Sequence, residues 1–520
     1  MIGDNKMDKQ LKKIYLYIGI FVAIIFIGAT YAFFTAGMSS ETSTTVRADA
    51  GTMKITYNGG KDINLSGIYP KDDVWATKTI TVTGNNTTDA QMYYKLTLIV
   101  YSNTFKTDDP LQYELVSTNT STNGEIIPNI SKKDITGTSI ELGSGHFVKA
   151  NNASHTYLLK IYYPKKATSQ NANQGAAFSA HVEITSAKAP KTNGKLSELV
   201  LYNNEVKAPI TTPGAAISTA DEALLASAED DYGTSYYFRG AVTNNYVEFA
   251  NKCWRIVRVG GDGSVKLILH NDNTAGAANP CDAANNSTSA AFARYNGTTY
   301  ISAFNTNYND NAYVGFKYGT AGASDYATTH ANINNSTILT NLETWYDNNL
   351  KIYESVIDDN VWCNDKTNVT DTTHDPWGWS PNGLGYAKNL TYYGATQRLV
   401  SAGASAGGTG PSLKCNGELS KINSKIGLIT ADELAYAGYA YSQVNTTTYL
   451  QENATDTYWW SLSPIGFYGS RARVWLVVGS LGRFDRSDVV GTDAVRPSIS
   501  LKSTTNVTGE GTSDKPFVVD

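Results

Sequence analysis

Four arginines stand close together near the end of the chain, among large aromatic and aliphatic residues. They are Arg471, Arg473, Arg483 and Arg486, and arginine is scarce elsewhere in the 520 residues. Planar guanidinium groups beside large apolar side chains are typical of a binding surface, because such groups carry most of the contact energy at protein interfaces. The surrounding segment, residues 465–493, also lacks Asn, Lys, Glu, Gln and Met, although Asn and Lys are frequent in the chain. This segment is therefore the first candidate for a ligand-binding site.

Alternation along strands divides this segment into scaffold residues and residues that face a ligand. The expected scaffold comprises Ala472, Val474, Trp475, Val477, Phe484, Val489 and Val495, with Gly482 at a turn. The residues expected to bind a ligand are Tyr468, Arg471, Arg473, Leu476, Val478, Leu481, Arg483, Asp485, Arg486 and Asp488. We expect Trp459 and Trp460 in the core, and Arg496 as a buried partner of a carboxylate. The alternative is a plain β-hairpin with core valines and leucines and solvated arginines.

Catalytic signatures are missing from the sequence. No HExxH, GxSxG or P-loop pattern occurs, and the histidines are isolated from one another. We expect no enzymatic activity, no catalytic residue, no cofactor and no metal site. Calcium stays open as an alternative, since residues 307–310 and 362–365 are acidic turns.

The four cysteines, Cys253, Cys281, Cys363 and Cys415, have no CxxC spacing and no nearby histidine, which argues against zinc. An even count in an exported chain predicts two disulfides. Pairing neighbours in sequence order closes the shorter loops, but the sequence cannot fix the connectivity. Four buried free thiols are the alternative.

Composition and net charge limit the classes of protein to which this chain can belong. The formal net charge is -5, which gives no reason to expect nucleic acid as a partner. With 34 Tyr, 44 Gly and only 17% charged residues, the chain is typical of a strand- and loop-rich extracellular protein. Its length predicts more than one domain.

Residues 14–34 are uncharged and almost wholly apolar, which matches the roughly 20 residues that span a bilayer as a helix. Lysines precede this stretch, at positions 6, 9, 12 and 13, so the positive-inside rule places the N-terminus in the cytoplasm. We expect a single-pass cell-membrane protein with its later domains outside the cell. A cleaved signal peptide is the alternative.

Strand, turn and helix signals complete the expected organisation. Alternating segments separated by Asn- and Gly-rich turns predict an antiparallel β-sandwich before residue 187. Helical spacing over 335–350 and a capping box at 430–433 predict two helices in an otherwise strand-rich second domain. The expected fold class is an N-terminal transmembrane helix, an all-β sandwich domain and an α+β domain. The expected regions are a cytoplasmic basic segment (1–13), an anchor or uncleaved signal (14–34), a sandwich stalk (44–186), a linker with a short helix (187–235), a ligand-binding domain (236–508) and a tail (509–520).

Four segments carry a resemblance to a known family: residues 252–258 (KCWRIVR), 426–437 (IGLITADELAYA), 459–464 (WWSLSP) and 494–501 (AVRPSISL). Together they resemble bacterial surface proteins with a C-type-lectin-like, or sulfatase-modifying-type, fold over about 236–501. The resemblance implies a C-type-lectin-like fold for the second domain. The leader and the strand domain after it weakly resemble the camelysin/TasA-like secreted proteins of Gram-positive bacteria.

The C-terminal segment also resembles the variable proteins of diversity-generating retroelements, in which template adenines are randomised, mostly in Asn codons. By the genetic code, such codons cannot yield Lys, Glu, Gln, Met or Trp. Between residues 465 and 493 only Trp475 falls outside the reachable set. The resemblance therefore implies a hypervariable ligand-binding surface on a constant scaffold.

These observations predict a membrane-anchored display protein that binds a macromolecular ligand without catalysis. An extracellular protein is the expected partner, and a glycan is possible through stacking on aromatic rings. A structural envelope or fibre protein is the alternative. A sulfatase-modifying-type enzyme is a further, less favoured alternative. The chemistry that this resemblance implies uses a reactive cysteine pair late in the domain, and this chain has no cysteine after Cys415.

Overall fold

The computed structural model describes residues 48–49, 52–86, 91–119, 123–186 and 190–520. The chain divides into two compact units, Met1–Ala189 and Pro190–Asp520. In both units strands hold more of the described residues than helices do, as their content of Val, Ile, Thr and Tyr favours.

The first unit is a β-sandwich. One sheet has the strand order β1-β2-β4-β10-β6-β8, and the other has the order β3-β11-β5-β9-β7. Burial alternates residue by residue along β5, so one row of side chains enters the apolar core with Leu96, Leu98 and Val100. The described strands are β1 (Ala48–Asp49), β2 (Thr52–Asn58), β3 (Ile63–Ser66), β4 (Lys71–Asn86), β5 (Met92–Asn103), β6 (Gln112–Ser117), β7 (Gly124–Glu125), β8 (Ile130–Asp134), β9 (Ser139–Phe147), β10 (Ala150–Tyr163) and β11 (Ala177–Ser186).

The second unit contains two larger sheets. One has the order β12-β29-β30-β15-β16-β14-β13, with β17 beside β16 and β28 beside β17, and the other has the order β18-β27-β24-β25-β26, with β22 beside β24. Its strands are β12 (Asn193–Lys195), β13 (Ala223–Asp230), β14 (Gly233–Gly240), β15 (Tyr246–Phe249), β16 (Lys252–Val259), β17 (Val265–Asn271), β18 (Ile301–Ala303), β19 (Lys317–Tyr318), β20 (Asn334–Asn335), β21 (Asn360–Cys363), β22 (Thr391–Tyr392), β23 (Lys421–Ser424), β24 (Trp459–Tyr468), β25 (Arg471–Val478), β26 (Arg483–Asp488), β27 (Thr492–Ala494), β28 (Ser498–Leu501), β29 (Asn506–Thr508) and β30 (Phe517–Val519).

The helices of the second unit are short. They are α1 (Leu196–Asn203), α2 (Tyr326–His330), α3 (Thr337–Asn349), α4 (Gly394–Leu399) and α5 (Ala431–Ala437). The hydroxyl of Ser336 caps α3 by accepting a hydrogen bond from the Leu339 amide, and α3 buries its apolar residues. Thr430 and Glu433 form the expected capping box at the start of α5.

The predicted disulfides are both present. Cys253 is bonded to Cys281, and Cys363 is bonded to Cys415. Two disulfides fit an oxidising environment such as the outside of a cell.

The expected fold class is wrong. The chain is mostly β-sheet with little helix, and among the described residues no helix is long and apolar enough to cross a membrane. The expected single-pass membrane localisation is therefore not supported. The segments 1–13 and 14–34, on which that expectation depended, lie outside the described residues.

Residues 190–235, expected within a linker, and residues 509–520, expected as a tail, belong to the second unit. The strand β12 pairs with β29, and β13 pairs along its length with β14. Near the C-terminus, β30 pairs with both β15 and β29. The pairings of β12 and β30 join short segments to residues far away in the sequence, which no local pattern identifies, whereas β13 and β14 form a local hairpin.

A buried ion network joins α5 to the larger sheet of the second unit. Glu433 accepts from the Lys266 ammonium at 2.7 Å and from the Arg258 guanidinium at 3.0 Å. Arg258 also binds Asp230 at 2.9 Å. Although burial opposes the charged form, Lys266 and Arg258 lower the pKa of Glu433 to about 2.

The substitution Glu433→Gln tests this network. We expect it to lower the free energy of unfolding of the second unit at neutral pH by about 3–5 kcal/mol, because it leaves buried cations without their partner. The pKa of Glu433 lies below its ordinary value of 4.5 in the folded chain, so its stabilising effect is complete above that pH and declines as the pH falls toward 2.

The measurement is denaturation followed by tryptophan fluorescence, which reports mainly on the second unit because eight of the nine tryptophans lie there. The difference between the wild type and Glu433→Gln should shrink between pH 4.5 and pH 2. The exposed Glu229 provides the control variant Glu229→Gln, which should change stability little at any pH. A difference that is independent of pH would contradict this role of Glu433.

Candidate functional site

The predicted segment forms the three-stranded antiparallel meander β24-β25-β26. A two-residue turn at Gly469 and Ser470 joins β24 to β25, and both residues have positive φ, of 58° and 66°. Turns with two positive φ angles match the right-handed twist of the strands that they connect. The turn sets Tyr468 opposite Arg471, so their side chains lie on the same side of the sheet.

Arg471 and Arg473 share one carboxylate on the neighbouring strand. Nη1 of Arg471 donates to Oδ2 of Asp488 at 2.8 Å, and Nε of Arg473 donates to Oδ1 of the same residue at 2.8 Å. Arg473 lies directly opposite Asp488 in the strand register. The shared carboxylate fixes two flexible arginines in one orientation, which reduces the entropy that they lose when a ligand binds.

Aromatic rings from a distant loop pack against these arginines. Trp379 stacks on Tyr468 with ring centroids 4.9 Å apart, and on Tyr392 at 4.6 Å on its other side. The Arg473 guanidinium lies 5.4 Å from the Trp379 ring centroid, within cation–π distance. Nearby, the Arg471 guanidinium lies 5.3 Å from the ring of Tyr308.

A second arginine–aromatic group adjoins the first. The Arg486 guanidinium lies 4.4 Å from the Trp377 ring centroid, and its Nη1 donates to the Tyr441 hydroxyl at 3.0 Å. Nε1 of Trp377 donates to the same hydroxyl at 3.1 Å. The Trp377 and Trp379 rings are 5.2 Å apart, so the two groups form one continuous surface.

We call this surface the aromatic–arginine face. Tyr308 and Tyr468 are 40% and 38% exposed, and Trp377, Tyr441, Arg473, Arg486 and Asp488 are half-buried. Beneath it, Trp475 and Phe484 are fully buried. Its residues are Tyr308, Trp377, Trp379, Tyr441, Tyr468, Arg471, Arg473, Arg486 and Asp488.

Asp375 holds the loop that supplies the two tryptophans. Its carboxylate accepts from the Trp379 amide at 2.6 Å, the Ser380 amide at 2.9 Å and the Tyr392 hydroxyl at 2.9 Å. Burial opposes its charge, but these hydrogen bonds keep the pKa of Asp375 below its ordinary value. Gly466 on β24 permits the close approach, since a Cβ there would lie 2.8 Å from the Trp379 ring.

The structure divides the ten predicted ligand-binding residues into three groups. Tyr468, Arg471, Arg473, Arg486 and Asp488 belong to the aromatic–arginine face. A second group comprises Arg483, Asp485 and Leu481: Arg483 and Asp485 bind each other at 2.9 Å on the opposite side of β26, and Leu481 is exposed in the preceding turn. Leu476 and Val478 form the third group.

Leu476 and Val478 are core residues, and their predicted ligand contact is wrong. They are 1% and 3% exposed. The alternation rule assumes that one side of the sheet meets solvent, whereas β25 is covered on both sides along its second half. The expected scaffold is fully buried, and so are Trp459 and Trp460.

The predicted carboxylate partner of Arg496 is also wrong. This buried guanidinium donates to the carbonyls of Leu269 and Leu450, and it lies 5.0 Å from the Trp459 ring.

Apart from this face, the described residues include an open cavity of about 510 Å³ lined by Glu248, Glu510 and Lys515, among others. Across the described ranges no group of His, Cys, Asp and Glu side chains could hold a metal ion. A cavity of about 40 Å³ lies near the Cys363–Cys415 disulfide, with Arg258, Lys266 and Glu433 among its lining residues. Because these charges already pair with one another, the cavity fits a few waters.

Comparison with protein-family models and with curated proteins finds no match for this chain.

The division between face and core predicts losses of stability of different size for two residues of the same meander. Leu476→Ala should lower the free energy of unfolding by about 2–5 kcal/mol, because it leaves a cavity in a closed core. Tyr468→Ala should lower it by less than about 1 kcal/mol, because the Tyr468 ring is partly exposed at the surface. Chemical denaturation followed by tryptophan fluorescence measures both, and equal losses would contradict the division.

Proposed function

We propose that this protein binds another protein through the aromatic–arginine face and that the face has no catalytic role. The observation that carries the proposal is the arrangement of this face. The guanidinium groups of Arg471, Arg473 and Arg486 lie against the rings of Tyr308, Trp379 and Trp377. Tyr308 is exposed and Trp377 is half-buried, whereas Trp379 is buried and supports the face from beneath. Tyr, Trp and Arg are the residues that most often dominate binding energy at protein interfaces.

The rigidity of the face supports a binding role. The ring stack of Tyr468, Trp379 and Tyr392 and the shared carboxylate of Asp488 fix its side chains before any partner arrives. Pre-organised side chains lose little entropy on binding, so more of the contact energy appears as affinity. The rings also present flat apolar surface, on which a glycan could stack.

The proposal includes a variable surface, as implied by the resemblance to the variable proteins of diversity-generating retroelements. The scaffold beneath the face, with Trp475 and Phe484, is fully buried. Substitutions at Tyr468, Arg471 or Arg473 would therefore change the ligand while leaving the fold intact.

Two matched triple variants test the binding role. Replacing Tyr468, Arg471 and Arg473 with serine alters the face, whereas replacing Leu481, Arg483 and Asp485 with serine alters the opposite side of the same meander. We expect the face variant to lose at least about tenfold in affinity for its partners, because it removes central aromatic and arginine contacts.

The purified full-length chains are incubated with the same mixture of extracellular proteins, and captured proteins are quantified by mass spectrometry. The control variant should retain the wild-type partners, and the melting temperature of the face variant should stay within a few degrees of wild type. If both variants capture the wild-type set equally, the face is not the binding site.

Sequencing the coding locus tests the variable origin separately. We expect a reverse-transcriptase gene and a near-copy of the segment that encodes residues 465–493, with differences confined to adenines of the template. If neither occurs near the gene, the proposed variation is wrong, and the binding role stands on the previous experiment alone.

A further inference from the structure

The arginines near the C-terminus differ in whether they have an acidic partner. Arg471 and Arg473 share Asp488, and Arg483 binds Asp485. The contacts of the Arg486 side chain are the Tyr441 hydroxyl and the Trp377 ring. Within the described ranges no carboxylate lies at ion-pair distance from the Arg486 guanidinium. Asp485, its neighbour, accepts from the Arg486 backbone amide instead.

The Arg486 side chain is held in place although it is not neutralised. Its guanidinium lies against the Trp377 ring, and Tyr441 accepts from Nη1, so further N–H groups remain to donate. A carboxylate can take two parallel hydrogen bonds from such a planar group. The surrounding aromatic rings exclude water from the half-buried side chain and so strengthen a charged hydrogen bond there.

Charge complementarity indicates which partner suits the face. Two of its three arginines share the single carboxylate of Asp488 and the third, Arg486, has no ion-pair partner among the described residues, whereas the whole chain carries a net charge of -5. The face therefore attracts an acidic segment of a partner, whereas the net negative charge of the chain repels such a segment from the rest of the surface.

We propose that Arg486 receives the carboxylate of an Asp or Glu side chain from a partner protein, whose neighbouring apolar residue packs on Trp377. The inference rests on the proposed binding function and names the chemistry of the partner. A single unpaired guanidinium between aromatic rings suits one carboxylate flanked by apolar groups. An acidic polysaccharide would be better matched by a row of unpaired cations, whereas Arg471 and Arg473 already share Asp488.

A display library of random dodecapeptides serves as the probe, selected against the purified full-length chain. We expect the recovered peptides to be enriched in Asp or Glu next to aromatic or aliphatic residues. Individual peptides are then titrated against the wild type, Arg486→Gln, Arg486→Lys and the matched control Arg483→Gln. Thermal melting of each variant verifies that it is folded.

A double-mutant cycle identifies the pair. Arg486→Gln should lower the affinity for an acidic peptide by roughly tenfold or more. It should have little effect on the affinity for the same peptide in which Asp is replaced by Asn, or Glu by Gln. Arg486→Lys should lose part of the affinity, because lysine keeps the charge but lacks the planar fork. Arg483→Gln, which removes the same charge from the opposite side of β26, should change binding little.

Several results would overturn the inference. They are a lack of acidic enrichment, equal losses for Arg486→Gln and Arg483→Gln, or binding of heparin at the face while no acidic peptide binds there. Peptides that depend on Tyr468 but are indifferent to Arg486 would reject the carboxylate partner and leave the proposed function standing. If no recovered peptide is weakened by Tyr468→Ala or Trp377→Ala, both proposals fail.

Discussion

The packing of the Trp475 ring is the interaction on which the rest of the aromatic–arginine face depends. Its fully buried indole contacts Phe484 and Tyr441 with ring centroids 5.8 Å away, and Trp377 at 6.4 Å. These rings come from the adjacent strand and from two separate loops. One buried side chain therefore fixes the distance between the meander and the loops that complete the surface. Edge-to-face ring contacts of this kind have preferred angles as well as distances, so they orient the outer rings too.

A feature of the fold could be predicted from the sequence when the residues that form it lie close together in the chain. The capping box of α5 and the helix α3 were predictable, because their signals lie within a few residues of one another. Nothing local indicates that β12 pairs with β29, or that β30 completes a sheet with β15. Segments of three or four residues carry too little pattern to identify partners that far away.

The candidate site shows the same limit. Composition alone identified the arginines and Tyr468, but it missed Trp377, Trp379, Tyr441 and Tyr308, which reach the face from other parts of the chain. The signal that could have found the two tryptophans is their setting: two large aromatics in the turn-rich sequence DPWGWSPNG after Asp371. Exposed loops seldom carry such side chains unless the rings pack or bind something. Leu476 and Val478 were misassigned because alternation says nothing about what covers the second side of a sheet.

Burial and polar partners together separate structural arginines from candidate functional ones. Arg398 binds Asp365 and Asp432 at 2.7 Å, and Arg258 binds Asp230 and Glu433, all in buried surroundings. A buried cation without polar partners would destabilise the fold. The core supplies carboxylates to Arg398 and Arg258, and backbone carbonyls to Arg496. Arg486 is held by a ring and a neutral hydroxyl instead, at a surface where a partner can supply the missing carboxylate. Because Arg486 has no acidic partner among the described residues and lies at the surface, it is the arginine that would gain most by binding a carboxylate.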